Sequence, residues 1–191
     1  GVHQCSHRKV WSENEIQLFT EISRRISDAL TSLLFLRNIT ENEHRNRTIL
    51  DTTAEAIYGL NLEGNCTFCN AACIRMLGFS HQSDLIGQNM HNLIHHSHED
   101  NSSYHPLDCF INQSMKDNKM CHVDSEVLHR PNGTSFPVEY WAHPIVENNK
   151  VTGSVVTFID ITDRRQKEEE LNYQASHDSL TRLFNRLEFE K

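Results

Sequence analysis

Hydrophobic and polar positions alternate most clearly towards the end of the chain. Residues 123–129, 134–142 and 151–161 are rich in Val, Ile, Phe, Tyr, Trp and Thr, which suit a pleated, half-buried surface. Turn signals separate the three runs: Arg130-Pro131-Asn132-Gly133, where Pro presets φ and Asn-Gly tolerates a positive one, and Glu147-Asn148-Asn149-Lys150. The pattern predicts an antiparallel meander. Phe136, Val138 and Tyr140 fall on one face and Pro137, Glu139 and Trp141 on the other, because side chains alternate along a strand. One face therefore needs cover from the rest of the chain. After Thr162 the pattern switches, without a turn residue, to the polar helix-forming run Arg164-Arg165-Gln166-Lys167-Glu168-Glu169-Glu170.

Near the other end, Ser12-Glu13-Asn14-Glu15 reads as a capping box. Ile16, Phe19, Ile22, Ile26, Ala29, Leu30, Leu33 and Leu36 follow at three- and four-residue spacing. No Gly or Pro lies between Val10 and Gly59, so the helix is expected to run on toward Thr53, with a break near Asn38-Ile39-Thr40. About 40 residues at ~1.5 Å each reach ~60 Å, beyond one small domain, and the apolar stripe favours a parallel dimer seam over a solvated linker. Between the two patterns lie a predicted hairpin (56–62 and 66–69 about Glu63-Gly64-Asn65), a short helix capped by Asn70 and stopped by Gly78, a helical piece from Asp84, and a further helix within 106–116. Strands, short helices, then strands make an α+β order.

Charge narrows the function classes. The net charge is -8 over 191 residues, and residues 51–162 hold five Lys/Arg against thirteen Asp/Glu. An acidic middle argues against nucleic-acid binding, whose affinity comes from cations releasing phosphate counterions. No apolar run approaches the ~18 residues of a membrane span, and no signal peptide is visible; a cytoplasmic location without membrane insertion is expected. Cys66-Thr67-Phe68-Cys69, with Cys73 beyond, has knuckle-like spacing. Strict alternation puts Cys66 and Cys69 on opposite faces, so buried reduced thiols are the reading.

Several separated motifs carry a family resemblance. Asn70 to Gly78, Asp84-Leu85-Ile86-Gly87, Asn132-Gly133-Thr134 and Asp160-Ile161-Thr162 resemble a PAS domain over residues 43–162. The resemblance implies a five-stranded antiparallel sheet with short helices over one face enclosing a cavity, flanked by a long N-terminal helix and a C-terminal linker helix. Residues 1–42, with Gly1-Val2-His3-Gln4-Cys5-Ser6-His7 and Trp11 to Ile16, are similar to the last strand and closing helix of a GAF domain. Residues 163–191 are read as a linker helix and the start of a GGDEF diguanylate cyclase domain, which Ser176-His177-Asp178-Ser179-Leu180-Thr181-Arg182-Leu183-Phe184-Asn185-Arg186 resembles. A histidine kinase fits less well, since Asp178 follows His177 where that family has Glu.

The resemblance implies a sensory and dimerisation module relaying a signal to a cyclase, through Asp160 and Thr162, with the chain itself non-catalytic. Candidate cavity residues are Tyr58, Phe68, Met76, Phe110, Met115, Val138 and Phe158, for which plain core is the simpler reading. His91, His95, His96, His98 and His105, with Asp100 and Cys109, offer imidazole and thiolate, metal donors in principle; their spacing matches no closed four-ligand signature, so we read them as structural, with His95, His96, His98 and Cys109 as the metal candidates. Haem and flavin, held by some PAS domains in redox or gas sensing, lack their motifs here, and the cofactor is left open. The expected partners are a second copy of the chain, through the flanking helices, and a small molecule in the cavity.

Overall fold

The computed structural model describes residues 10–177, so the GAF-like residues 1–7 and the cyclase-like tail from Asp178 lie outside the described residues. The chain divides into two compact units, residues 1–49 and 50–191. The first is dominated by α1 (Glu13–Thr52), a helix of 40 residues. Its capping box forms as expected: Glu15 N–H donates to Ser12 Oγ at 3.3 Å and Ser12 N–H to Glu15 Oε2 at 2.9 Å. The break expected near Ile39 does not occur. Arg37 pairs with Glu41 at 2.7 Å across this turn, an i, i+4 contact that supports the helix, and Thr40 Oγ1 donates back to the Leu36 carbonyl without interrupting it. No residue of α1 is buried; Ile26, Leu33 and Phe35 are 55%, 63% and 65% exposed.

The second unit is built on the expected five-stranded antiparallel sheet. β1 (Ala56–Asn61), β2 (Cys66–Cys69), β3 (Cys121–His129), β4 (Ser135–Glu147) and β5 (Lys150–Asp160) lie in the order β2-β1-β5-β4-β3. α2 (Ala71–Leu77), a 3-10 turn at Gln82–Asp84, α3 (Met90–Ile94) and α4 (Phe110–Asp117) come between β2 and β3, and α5 (Thr162–Ser176) leaves the end of β5. The meander has the predicted turns. Asn148 and Asn149 both take positive φ, at 50° and 60°, as a two-residue hairpin turn requires. On β4, Phe136, Val138, Tyr140 and Ala142 are buried and alternate with half-buried Pro137, Glu139 and Trp141. The piece expected from Asp84 is instead the 3-10 turn, whose start the Asp84 carboxylate caps at His81 N–H, 2.9 Å away. The helix expected within 106–116 begins only at Phe110, because Cys109 is still extended.

Strict alternation fails on β2. Gly59 faces Phe68 while Leu60 faces Cys66, so Thr67 is an extra, bulged residue. The bulge turns Cys66 and Cys69 to the same buried side rather than to opposite faces, and Cys73 of α2 joins them in the core. None of the three is in a disulfide, and the proximity of Cys69 together with burial pushes Cys66 and Cys73 far up from the ordinary thiol range. Cys66 and Cys73 are therefore protonated core groups.

Candidate functional site

The sharpest polar feature inside the sheet-and-helix unit begins on α3. His91 lies in this helix and His95 caps it one turn later; four residues apart, they share a helix face. That face is turned inward, leaving His91 7% and His95 2% exposed. Cys109, the residue before α4, is 1% exposed. On β3 the ladder shifts register between Val123 and Glu126, which sets Glu126 opposite inward-facing Val138.

The side chains form a connected network. His95 Nδ1 lies 3.6 Å from Cys109 Sγ, and His95 Nε2 donates to Glu126 Oε2 at 2.8 Å. Tyr140 Oη donates to the same carboxylate oxygen at 2.7 Å. His91 Nε2 donates to the Tyr104 carbonyl at 2.9 Å, while His91 Nδ1 is buried without a hydrogen-bond partner among the described residues. Burial alone would lower His95, but the Cys109 thiol and the Glu126 carboxylate outweigh it and raise it to about 9. Burial would raise Cys109, but His91 and His95 bring it down to about 6. Burial also opposes ionisation of Glu126, and His95 with Tyr140 overcomes it. Each of the three groups thus pushes its neighbours toward their charged forms, against the cost of burial.

Beside the cluster is a cavity of about 10 Å³ lined by Tyr58, Leu60, Gly64, Met90, His91, His95, Cys109, Ile111 and Asn112. That is room for one water or an ion, well below the ~300–1,000 Å³ of pockets for small organic ligands. An outer groove of about 350 Å³, lined by Leu62, Asn89, His91, Pro106, Asn112, Met115 and others, reaches the cluster at His91.

Of the cavity residues read from sequence, Tyr58 lines the small cavity, Met115 the outer groove, and Val138 and Phe158 are filled core at 0% exposure. Phe68 stands on the far side of the sheet, covering Gly59, where a Cβ would meet its ring at 2.2 Å. Met76 is half-buried and Phe110 is 44% exposed, so these three do not line the cavity. Among the metal candidates, His95 and Cys109 come together. His96 is exposed and stacks on His129 at 4.4 Å, and His98 is exposed against Tyr104. His91 takes their place, and its i, i+4 spacing with His95 was the signal for it.

A second cluster joins the sheet to α5. Asp160 Oδ1 accepts from Thr162 N–H and Thr162 Oγ1, fixing the strand-to-helix corner. Asp160 Oδ2 meets Arg130 Nη2 at 3.1 Å; Arg130 also donates from Nε to the Met76 carbonyl and lies 4.0 Å over the Phe136 ring. In the first turn of α5, Arg164 Nη1 reaches Glu139 Oε2 at 2.6 Å, and Glu139 Oε1 holds His122, which stacks on Trp141 at 4.7 Å. Arg165 Nη2 donates to the Asp124 carbonyl at 2.9 Å. Arg130 and Glu139 carry this joint, and sequence reasoning singled out neither.

Known proteins share this architecture. The family described as PAS fold matches residues 44–161. The probable diguanylate cyclase DgcE of Escherichia coli (strain K12) is 28% identical over 195 aligned residues, which take in 100% of this chain and 17% of that protein. Among solved structures, the PAS domain of an HTR-like protein from Haloarcula marismortui is 13% identical with a TM-score of 0.52, covering 65% of this chain and 96% of that one. The PAS domain of a Colwellia psychrerythraea protein is 19% identical at the same TM-score of 0.52, over 63% and 98%. A LOV protein of Rhodobacter sphaeroides is 16% identical at 0.53, over 72% and 76%. These likenesses carry the fold. No described helix is long and apolar enough to cross a membrane.

Proposed function

The chain belongs to the PAS family, and from that premise we propose that it is a sensory and dimerisation module whose state is passed through α5 to a diguanylate cyclase domain. The observation that carries this reading is the run of similarity to the probable cyclase over the whole chain, tail included. In this reading the PAS module senses and relays, and the synthesis of cyclic di-GMP belongs to the cyclase domain it addresses. The relay is a population shift: a signal that favours one packing of the sheet favours one setting of the Asp160-Thr162 corner and of the Arg164–Glu139 pair, and so one heading of α5. Two copies meet through the exposed apolar residues of α1.

The test uses a protein in which this chain precedes an active cyclase domain. Synthesis of cyclic di-GMP from GTP and Mg²⁺ is measured for the parent, Arg164→Ala and Glu139→Gln. Breaking the joint should change the rate by on the order of fivefold or more, the lower end of ordinary coupling between sites. Rates equal to the parent's in both variants, with folding intact, would remove the relay.

A further inference from the structure

We propose that His91, His95 and Cys109 bind one borderline-soft transition-metal ion of the Zn²⁺ class inside the sheet-and-helix unit. One donor atom from each residue lies within 4.8 Å of the other two. The 3.6 Å between His95 Nδ1 and Cys109 Sγ matches the ~3.5 Å that Zn–N and Zn–S bonds of about 2.0 and 2.3 Å subtend at a tetrahedral angle. His91 Nε2 is committed to the Tyr104 carbonyl, so Nδ1 is the nitrogen left to coordinate. That atom is buried with no partner among the described residues, an arrangement folded chains rarely leave unused. A shift of about 1 Å by the side chains would bring it into the same coordination sphere.

The outer contacts are those of a metal site. Each histidine donates from its second ring nitrogen to an oxygen acceptor, the Tyr104 carbonyl for His91 and the Glu126 carboxylate for His95, which fixes ring orientation before an ion arrives; on binding, the ion displaces to solvent the proton held between His95 Nδ1 and Cys109 Sγ. The adjoining 10 Å³ cavity has room for a water in the fourth position, and the outer groove that reaches His91 supplies a path inward. Two imidazoles and a thiolate select Zn²⁺ over the oxygen-seeking Mg²⁺ and Ca²⁺. A hydrogen-bonded core network accounts for His95, Glu126 and Tyr140 but leaves His91 Nδ1 with only the neighbouring Cys109 sulfur and no hydrogen bond of normal geometry among the described residues. The site stands apart from the relay to a cyclase: either can fail alone.

The test uses the whole chain stripped with chelator. Zn²⁺ is titrated against a chromogenic chelator, and Co²⁺ is added separately to look for a thiolate-to-cobalt charge-transfer band. One ion per chain and a cobalt–thiolate band are expected. Cys109→Ser should abolish the band and lower Zn²⁺ affinity by at least about 100-fold, and Glu126→Gln should lower it by about 10–100-fold as an outer-contact loss. His91→Ala should cost at least about tenfold, whereas His96→Ala and His98→Ala should change nothing. The proposal is overturned if micromolar Zn²⁺ is not bound, if Cys109→Ser binds as tightly as the parent with circular dichroism unchanged, or if the exposed His96 and His98 prove to hold the ion. Binding of Cu⁺ without Zn²⁺ overturns the assignment of ion class. Should Cys109→Ser fail to fold, the cobalt band of the unaltered chain decides.

Discussion

Asn70 shows how much one side chain organises. Its Oδ1 accepts from the N–H groups of Ile57 and Cys73, and its Nδ2 lies within hydrogen-bond distance of the Leu50 carbonyl, Thr53 Oγ1 and the Glu55 carbonyl. A helix cap, an edge of β1 and the chain entering the sheet thus meet at a residue 1% exposed. Asn70→Ala should destabilise the chain by about 2–4 kcal/mol, a lost cap plus buried groups left unpaired, read as a lower urea midpoint. The cap was legible from Asn70 and Gly78 bracketing an apolar run; the reach to Leu50 was not, since nothing local encodes a contact 20 residues away. Tyr140 is a milder case. Its hydroxyl is one of two donors on Glu126 Oε2, so Tyr140→Phe should cost about 1–2 kcal/mol with the sheet intact by circular dichroism.

Among the elements, the strands of the meander were the most readable because period-two burial is written directly into 134–142. Bulges are different. An extra residue at Thr67 reverses the facing of everything before it, and the register shift ahead of Glu126 turns a carboxylate inward; neither shows in an alternation count. α3 escaped notice because five residues are too few to display a helical period. A close approach of strands supplies a direct check: a Cβ on Gly153 would stand 2.1 Å from the backbone oxygen of Leu60. Gly153→Ala therefore forces β5 from β1, and should lower the thermal midpoint more than Gly59→Ala, where a movable Phe68 ring gives way. The joint between sheet and α5 carries a pH dependence. His122 first and Arg164 second hold the Glu139 carboxyl below its usual range. A depressed carboxyl contributes fully above its unfolded pKa, and that contribution is lost as pH falls through the lower folded value. Thermal scans from neutral pH to about pH 4 and below should show the parent losing more stability than Glu139→Gln, in which this group no longer titrates.

For the molecule as a whole, the partition of surface matters most. α1 exposes Ile22, Ile26, Leu33 and Leu36, among other large apolar side chains, while α5 is polar almost all round, with Leu171 and Tyr173 as its exposed exceptions. In the proposed dimer the seam is therefore on α1. Ile26→Glu combined with Leu33→Glu should sediment as monomer at micromolar concentration where the parent sediments as dimer, since full burial of each apolar side chain is worth ~1.5–3 kcal/mol and a charge removes it. A dimer that persists in the charged variant, with its helix content unchanged, would move the contact elsewhere.

The unbroken backbone of α5 makes it a shaft with a phase. Each residue added to a helix rotates the chain beyond it by about 100° and advances it ~1.5 Å, and seven residues return it to nearly the same angle two turns further on. If a cyclase domain rides on this helix, its output should oscillate with linker length. Single insertions after Glu170 should silence or unleash synthesis, and a seven-residue insertion should restore most of it. Activity that merely declines with each added residue would mean that the linker acts as a tether and carries no angular information.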